Sequence, residues 1–341
     1  MRHTALAALT LSVGLLLTAC SSSDDTSAQS STTAATQSSS AEHNSAAFPI
    51  TIDHFRGSTT LEHAPERIVV IDNSYMENVV ALGGHVVGVA TSNGEKYPDY
   101  FTDEQKKMVE DATDIGDLKT PSLEKIAALK PDLILSSDYR SKDYYDDLSK
   151  IAPTIFSEKA GTTWEQNTLL TGKALGKEEE AQELLDTINA RAEAIGADIR
   201  AQGDPGTVSI VRFSPNLRLY NPASFPGSML AKMGLQQPAN QQADPAKPNE
   251  IFFEFSPETV GEAEADTILA MAPDPDSDRR QQWEAAANPV LESQLWKDLK
   301  GRKVEVNDEV WFLNVSPLAA QNLLDSAAEI WGVDNHRDID K

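Results

Sequence analysis

From Phe48 to the end of the chain, short apolar runs alternate with longer segments in which apolar residues recur every three or four positions. Runs rich in β-branched residues predict buried strands, and the three-to-four spacing predicts amphipathic helices. The predicted strands are RIVVID (67–72), HVVGVAT (85–91), DLILSS (132–137), TIFSE (154–158), TVSIVRF (207–213), LRLYN (217–221), 266–270 and KVEVND (303–308). Strands that alternate with helices favour βαβ units, so the sequence predicts an α/β fold built on parallel sheet.

One helical pattern, KEEEAQELLDTINARAEAIGADIRA (177–201), is longer than the others. Its apolar positions step by three and four from Ala181 to Ile199, and no proline interrupts them. At 1.5 Å per residue, such a helix spans roughly 35 Å. The sequence therefore predicts two Rossmann-like α/β lobes, 48–176 and 202–341, joined by a single long rigid helix at 177–201. Shorter predicted helices include 76–84, 123–130, 227–234, 257–265, 288–299 and 318–332.

A helix–strand phrase occurs twice, as SLEKIAALKPDLILSS from Ser122 and as SPETVGEAEADTILAM from Ser256. Each serine is a good helix N-cap, because its hydroxyl can accept a hydrogen bond from a free first-turn N–H group. Glu124 and Glu258 then fall in the first turn, where the helix dipole favours a carboxylate by a few tenths to about 1 kcal/mol. Helix-start chemistry alone accounts for both residues. One exposed acid per lobe is also a possible two-point docking feature.

The N-terminus has the pattern of an export signal. Arg2 precedes an apolar run at 5–17, which at about 13 residues is shorter than the roughly 20 that a membrane-spanning helix needs. LTAC (17–20) resembles a bacterial lipobox, so we predict a signal peptide at 1–19 and lipidation of Cys20. The alternative is an ordinary signal peptide followed by a chance cysteine. Residues 20–47 are rich in Ser and Thr and lack aromatic residues, which predicts a disordered tether.

Composition excludes several classes of function. A formal net charge of −24 argues against a nucleic-acid partner, which would need a basic face. The six His residues show no H-x-H or H-x₃-H spacing, so no resident metal is predicted. The chain has neither G-x-S-x-G nor a Walker A run, and its single cysteine is assigned to lipidation. We therefore predict neither enzymatic activity nor a cofactor.

These features together resemble a known family. The lipobox, PERIVVID (65–72), the phrase LEKIAALKPDLIL (123–135), the long helix and NPVLESQLWKDLKGRKVEVND (288–308) are similar to the substrate-binding proteins of iron–siderophore ABC importers. The resemblance covers about residues 65–332. It implies a monomeric lipoprotein, anchored by lipid on the extracytoplasmic side of the cell membrane, which binds a ferric siderophore in a cleft between its lobes.

The resemblance also implies delivery to an ABC permease. In that family an acidic residue on each lobe contacts the permease, and the matching positions are Glu124 and Glu258, with Glu262 as an alternative to the second. Haem- and cobalamin-binding members belong to the same cluster, so either ligand stays open, as does a sensor or interaction lipoprotein without transport. Tyr139 or Tyr220 could serve as an axial ligand to haem.

Candidate ligand residues follow from the rule that ligands bind outside the carboxyl ends of the strands in open α/β sheets. RFSPNLRLY (212–220) is similar to an R-F-x-P-x-x-x-R-x-Y segment of ferric-siderophore binders from Gram-positive bacteria, with one residue fewer between the proline and the second arginine. This similarity makes Arg212 the first candidate. Tyr139 matches a tyrosine after the first-lobe strand in ferric-hydroxamate relatives, and Lys119 lies about one residue from a basic position in them. The full set is Arg212, Tyr139, Trp311, Arg140, Lys119, Tyr75, Tyr220, Arg218 and Trp164.

Overall fold

A computed structural model describes residues 48–91, 96–213, 216–247, 249–273, 275, 277 and 279–340. The predicted signal peptide, Cys20 and the predicted tether lie outside this range. The strands are β1 Ile50–His54, β2 Gly57–Leu61, β3 Ile68–Val70, β4 Val86–Val89, β5 Thr113–Asp114, β6 Gly116–Asp117, β7 Thr120–Pro121, β8 Leu133–Ser137, β9 Thr154–Ser157, β10 Val208–Phe213, β11 Leu217–Tyr220, β12 Phe252–Phe255, β13 Thr267–Ala272 and β14 Arg302–Asn307.

Helices of very different lengths connect these strands. They are α1 Asn73–Ala81, α2 Asp103–Lys107, α3 Leu123–Leu129, α4 Asp138–Ser141, α5 Tyr145–Ile151, α6 Trp164–Leu175, α7 Glu178–Ala201, α8 Phe225–Lys232, α9 Arg280–Leu291, α10 Gln294–Asp298 and α11 Pro317–Trp331. Short segments of 3₁₀ or π-helix occupy Lys142–Tyr144, Ala239–Gln241, Pro257–Ala263, Glu309–Leu313 and Arg337–Asp340.

The described residues form two five-stranded sheets, each the centre of one lobe. The sheet of the first lobe has the order β5-β4-β3-β8-β9, and all of its strands are parallel. The second lobe has the order β12-β11-β10-β13-β14. Apolar side chains fill both faces of each sheet, where they pack against the flanking helices. The predicted α/β class with two lobes is confirmed.

The second sheet differs from the prediction of parallel strands. β10, β13 and β14 are parallel, but β11 and β12 run antiparallel to their neighbours. Only three residues separate β10 from β11, whereas a crossover between parallel strands needs a dozen or more, so antiparallel pairing is the available arrangement. The sequence prediction did not include β12, or the β1–β2 hairpin whose Phe55 N–H donates to the Phe156 carbonyl over 2.9 Å.

Helix α7 is 24 residues long and lies in the chain between the strands of the two sheets. Near its start Ala181 packs into the core of the first lobe, whereas Ile188, Ile195 and their neighbours pack into the core of the second. At Gly196 the helix approaches the Met233 carbonyl so closely that a Cβ would overlap it. Among the described helices, none is both long and apolar enough to cross a membrane.

The two copies of the repeated phrase fold differently at their helices. In the first, the Ser122 hydroxyl accepts from the Lys125 N–H group at 3.3 Å and α3 follows as predicted. In the second, the predicted α-helix at 257–265 is wrong, because Pro257–Ala263 is a 3₁₀ helix with non-helical dihedral angles at Thr259. Gly261 in this copy replaces an alanine of the first, and glycine costs about 1 kcal/mol in a helix interior.

Candidate ligand-binding cleft

A cavity of about 280 Å³ lies at the carboxyl ends of strands from both sheets. The first lobe contributes the segments that follow β3 and β8, and the second lobe contributes those that follow β13 and β14. Ligands of open α/β sheets bind at such edges. The polar lining residues include Asp72, Asn73, Ser74, Arg140, Arg279, Glu309 and Asn314.

Arg140 forms the charged part of the wall from the first lobe. Its Nε donates to the Asp72 carboxylate over 2.9 Å, and this negative charge raises the pKa of Arg140. Asp72 is only 1% exposed and is itself fixed, because it caps α1 by accepting from the Ser74 N–H group at 3.0 Å. The guanidinium also lies 5.5 Å from the ring centroid of Tyr139, which is 72% exposed. Directly after β8, the chain thus presents a guanidinium group paired with Asp72 and a solvent-exposed aromatic ring.

The wall from the second lobe is built around a buried aspartate. Both oxygens of Asp308 accept from Nη1 of Arg279 at 3.0 Å, and Asp308 lies 3.7 Å from Nη2 of Arg212. The Arg212 guanidinium lies 4.3 Å from the ring centroid of Phe312. A smaller cavity of about 150 Å³ is lined by Arg212, Arg279, Asp308 and Trp283, and it shares Arg279 with the larger cavity.

Arg218 extends this row of cations. It is the direct cross-strand partner of Arg212 in the β10–β11 ladder, so the two side chains lie on the same face of the sheet. Its guanidinium lies 4.2 Å from the ring centroid of Phe252 and 3.7 Å from Glu254. All three predicted arginines, Arg140, Arg212 and Arg218, therefore lie within cation–π distance of an aromatic ring.

Four predicted aromatic residues lie in the cores instead of on an open wall, which corrects the expectation that they face a ligand. Tyr75, Tyr220 and Trp311 are fully buried, and Trp164 is almost so. Burial raises the pKa of the Tyr75 hydroxyl. Trp311 donates its Nε1–H to the Ser326 hydroxyl at 3.0 Å, and Trp164 packs edge-on against Phe225. The physical reason is that bulky aromatic side chains gain most by full burial in the sheet–helix layers.

Lys119, which was predicted to contact the ligand, is not among the residues that line the cavity. Its side chain is exposed, and its backbone N–H donates to Asp117 at 2.9 Å. The preceding residue, Leu118, lines the cavity in its place. The resemblance had placed the basic position about one residue away, and a shift of one residue in a turn is enough to exchange a cation for an apolar wall.

Sequence reasoning missed Arg279, Asp308 and Leu313. Arg279 lies between β13 and α9 and directly precedes α9, so it meets the same strand-end rule that selected the other candidates. Asp308 ends the run KVEVND, so its position was also available from the sequence. Leu313, which lines the cavity, depends on the π-turn Glu309–Leu313, a geometry that the sequence pattern does not indicate.

A buried carboxyl group lies where the two lobes meet. Oε2 of Glu77, on α1, accepts from the Tyr100 hydroxyl at 2.8 Å and from the hydroxyl of Ser316, the N-cap of α11. Full burial outweighs these two hydrogen bonds and raises the pKa of Glu77 to about 8. The residue before Tyr100 also joins the two lobes, because the backbone N–H of Asp99 donates to the Glu309 carboxylate of the second lobe at 3.3 Å.

The acidic residues expected to contact a permease are exposed. Glu124 lies in the first turn of α3, and Glu258 lies in the first turn of the 3₁₀ helix Pro257–Ala263. A hydrogen bond from the Ser256 side chain lowers the pKa of Glu258, so this residue is a carboxylate at neutral pH. Glu262 is exposed as well.

Within the described ranges, one group of residues could bring metal-ligating atoms together. Atoms of Asp334, His336 and Asp338 lie within 4.8 Å of one another, and His336 also contacts Asp198 at 2.8 Å. Both aspartates are exposed, and exposed acidic groups of this kind are common without a metal.

Two α/β lobes with a cleft between their strand ends, lined by held arginines, define a two-lobed ligand-binding protein. The chain belongs to the periplasmic binding protein family, whose model matches residues 68–300. The proteins of this family and the relatives of this chain are binding proteins.

Its relatives are named for iron chelates. The probable siderophore-binding lipoprotein YfiY of Bacillus subtilis is 34% identical over 286 residues, which cover 81% of this chain and 85% of that protein. The Fe(3+)-citrate-binding protein YfmC of the same bacterium is 28% identical, over 75% of this chain and 77% of that protein. The crystal structure of Staphylococcus aureus SirA complexed with staphyloferrin B has a TM-score of 0.74 at 26% identity, over 84% of this chain and 100% of that one.

Proposed function

We propose that this chain binds a ferric siderophore outside the cytoplasm and delivers it to an ABC permease. The observation that carries the proposal is that arginines from both lobes converge on one cleft in a chain whose net charge is −24. The names of the relatives, a siderophore-binding lipoprotein and a ferric-citrate-binding protein among them, support the same ligand class.

The chemistry of the cleft suits a chelated iron. A hexadentate siderophore already fills the six coordination sites of the iron, so the protein has to bind the organic part of the chelate and the oxygen atoms on its surface. Arginine matches such edges, because its planar fork donates several N–H groups in a fixed geometry. Tyr139 supplies an exposed aromatic ring beside Arg140, and the ring of Phe312 packs against the Arg212 guanidinium.

Delivery to a permease would use the exposed acids on the two lobes. Glu124 and Glu258 stand at helix starts with their side chains in solvent, where they can meet basic residues of a membrane partner. The long helix α7 is proposed to limit the opening of the cleft to a small tilt of one lobe against the other. Its residues pack into the cores of both lobes, which supports this restraint.

Attachment to the membrane would come from Cys20. Relatives named as lipoproteins and periplasmic proteins support a location outside the cytoplasm, and the lipobox-like LTAC supports lipidation of this residue. The Ser- and Thr-rich segment that follows would let the two lobes reach a permease in the same membrane. We expect a monomer, since one chain supplies both walls of the cleft.

Titration of the purified protein tests the proposal. Ferric citrate, a ferric catecholate and a ferric hydroxamate are added separately, with haem and cobalamin as competing ligand classes, and Trp fluorescence is followed. Trp283 lines the smaller cavity, so a bound ferric chelate should quench it. Saturable quenching by a ferric chelate supports the proposal. Saturable binding of haem or cobalamin alone, without response to any ferric chelate, contradicts it.

A further inference from the structure

Asp308 occupies an unusual position in the cleft. It follows β14 directly, is only 4% exposed, and lies between the guanidinium groups of Arg279 and Arg212. A buried carboxylate must be paired, because removing an isolated charge from water costs several kcal/mol. Within this trio two cations face one anion, which leaves one positive charge, and the Glu309 carboxylate also lines the larger cavity.

The contacts of the two arginines leave donors available on the ligand side. A guanidinium has five N–H donors, and the bonds from Arg279 to Asp308 use the nitrogen Nη1. Arg279 also lines both cavities, so its side chain is within reach of a ligand bound in either of them. For Arg212, Nη2 forms an ion pair with Asp308 at 3.7 Å, which is longer than a hydrogen bond, and the ring of Phe312 lies against the guanidinium.

The first lobe repeats this arrangement with different residues. There the buried Asp72 holds Nε of Arg140, and the aromatic ring is that of Tyr139. In each wall of the cleft, a nearly buried aspartate contacts guanidinium groups. Asp72 contacts Arg140 in the first lobe, and Asp308 contacts Arg279 and Arg212 in the second. Arg218 adds a further cation beside Arg212 on the same face of the sheet.

We propose that Asp308 is a positioning residue, which presents Arg279 and Arg212 as a fixed pair to a ferric chelate bearing carboxylate oxygens. This inference rests on the proposed function and narrows its ligand to an anionic, carboxylate-bearing chelate. Such oxygens repay the desolvation of the guanidinium groups with charge-assisted hydrogen bonds, and an uncharged chelate offers weaker ones. The arginines touch the ligand, and Asp308 acts through them.

Replacement of Asp308 by asparagine separates positioning from simple charge. Asp308→Asn removes one negative charge beside an anionic ligand, so electrostatics alone would tighten binding. If Asp308 acts by positioning, the same substitution weakens binding, because both arginines lose the group that orients them. The sign of the change is therefore diagnostic.

The experiment is a double-substitution cycle read with ferric citrate at fixed ionic strength. Arg279→Ala and Asp308→Asn should each weaken binding about tenfold or more, the scale of one lost charge-assisted contact. The double variant should lose less affinity than the product of the two single effects, since Asp308 acts in part through Arg279, which is missing, and in part through Arg212, which remains. Asp298→Asn, an exposed change of equal charge on α10, is the matched control and should bind as the wild type does.

Circular dichroism and thermal unfolding check that each variant folds. Asp308→Glu keeps the charge but moves the carboxylate by one methylene, and it serves if the asparagine variant does not fold; its affinity should fall between those of the wild type and Arg279→Ala. Unchanged or tighter binding by Asp308→Asn, wild-type affinity of Asp308→Glu, or independent multiplication of the two single effects would overturn the inference. Binding of an uncharged ferric hydroxamate with no binding of ferric citrate overturns the ligand class but leaves the proposed function standing. Failure of the wild type to bind any ferric chelate overturns both.

Discussion

The buried carboxyl group of Glu77 makes a sharp prediction about stability and pH. Glu77→Gln keeps an oxygen that can accept from the Ser316 and Tyr100 hydroxyls, but the amide cannot ionise. The pKa of Glu77 is raised from 4.5 to about 8 in the folded protein. Below pH 4.5 the folded and unfolded chains are both protonated at this residue, and the stabilisation associated with the neutral form is fully present. As pH rises toward 8, the unfolded chain ionises first, so the free energy of unfolding falls.

The size of the effect follows from linkage. Between the two pKa values the slope is 1.36 kcal/mol per pH unit, which gives about 2 kcal/mol between pH 6 and pH 8. For a protein of this size that corresponds to a decrease of roughly 3 °C in Tm. The total loss in the free energy of unfolding, from below pH 4.5 to above pH 8, is on the order of 5 kcal/mol. Glu77→Gln should lack this component, so its Tm should fall less than that of the wild type over the same range.

The assay is thermal unfolding by circular dichroism at intervals between pH 5 and pH 9. Other titrating groups contribute equally to both proteins, so the quantity of interest is the difference between their Tm values at each pH. Glu104→Gln, on the exposed surface of α2, is the matched control and should keep the pH profile of the wild type. Parallel profiles for the wild type and Glu77→Gln would refute the reasoning that burial dominates at this site.

Three further predictions concern the cleft, the docking acids and the long helix. Arg212→Ala should weaken the binding of a ferric chelate at least about tenfold in fluorescence titration, and unchanged affinity would remove this residue from the site. The double variant Glu124→Ala and Glu258→Ala should bind the chelate normally but fail to support uptake of radioactive iron, and normal uptake would leave only the helix-start explanation. Gly196→Ala should lower the free energy of unfolding by about 1–3 kcal/mol or more, because its Cβ would overlap the Met233 carbonyl, and urea unfolding with the wild-type midpoint would contradict that contact.

The alternation of strands and helices was sufficient to predict most of the architecture. Strands such as β8 and β13 contain short apolar runs and are buried along their whole length, as parallel strands covered on both faces are. The prediction failed where local geometry departs from this scheme. A short β10–β11 connection imposes antiparallel pairing, and the polar hairpin β1–β2 carries too few apolar residues to be recognised as strands.

The candidate site was predictable in its location but only partly in its residues. The strand-end rule selected Arg140 and Arg212, and each of them lines a cavity; their part in ligand binding stays a prediction. The same rule failed for Tyr75 and Trp311, because a side chain's direction depends on the turn that follows the strand. The partnership of Asp308 with Arg279 joins residues 29 positions apart and emerges only from the folded chain.

The central claim is that guanidinium groups of both lobes grip one ferric chelate, and a titration of three proteins tests it most directly. Wild type, Arg140→Ala and Arg212→Ala are titrated with ferric citrate and with ferric catecholate and hydroxamate chelates under the same conditions. The account predicts saturable binding of at least one ferric chelate by the wild type, weakened at least about tenfold by each substitution, one in each lobe. Absence of binding to every chelate, or equal affinity of all three proteins, would contradict it.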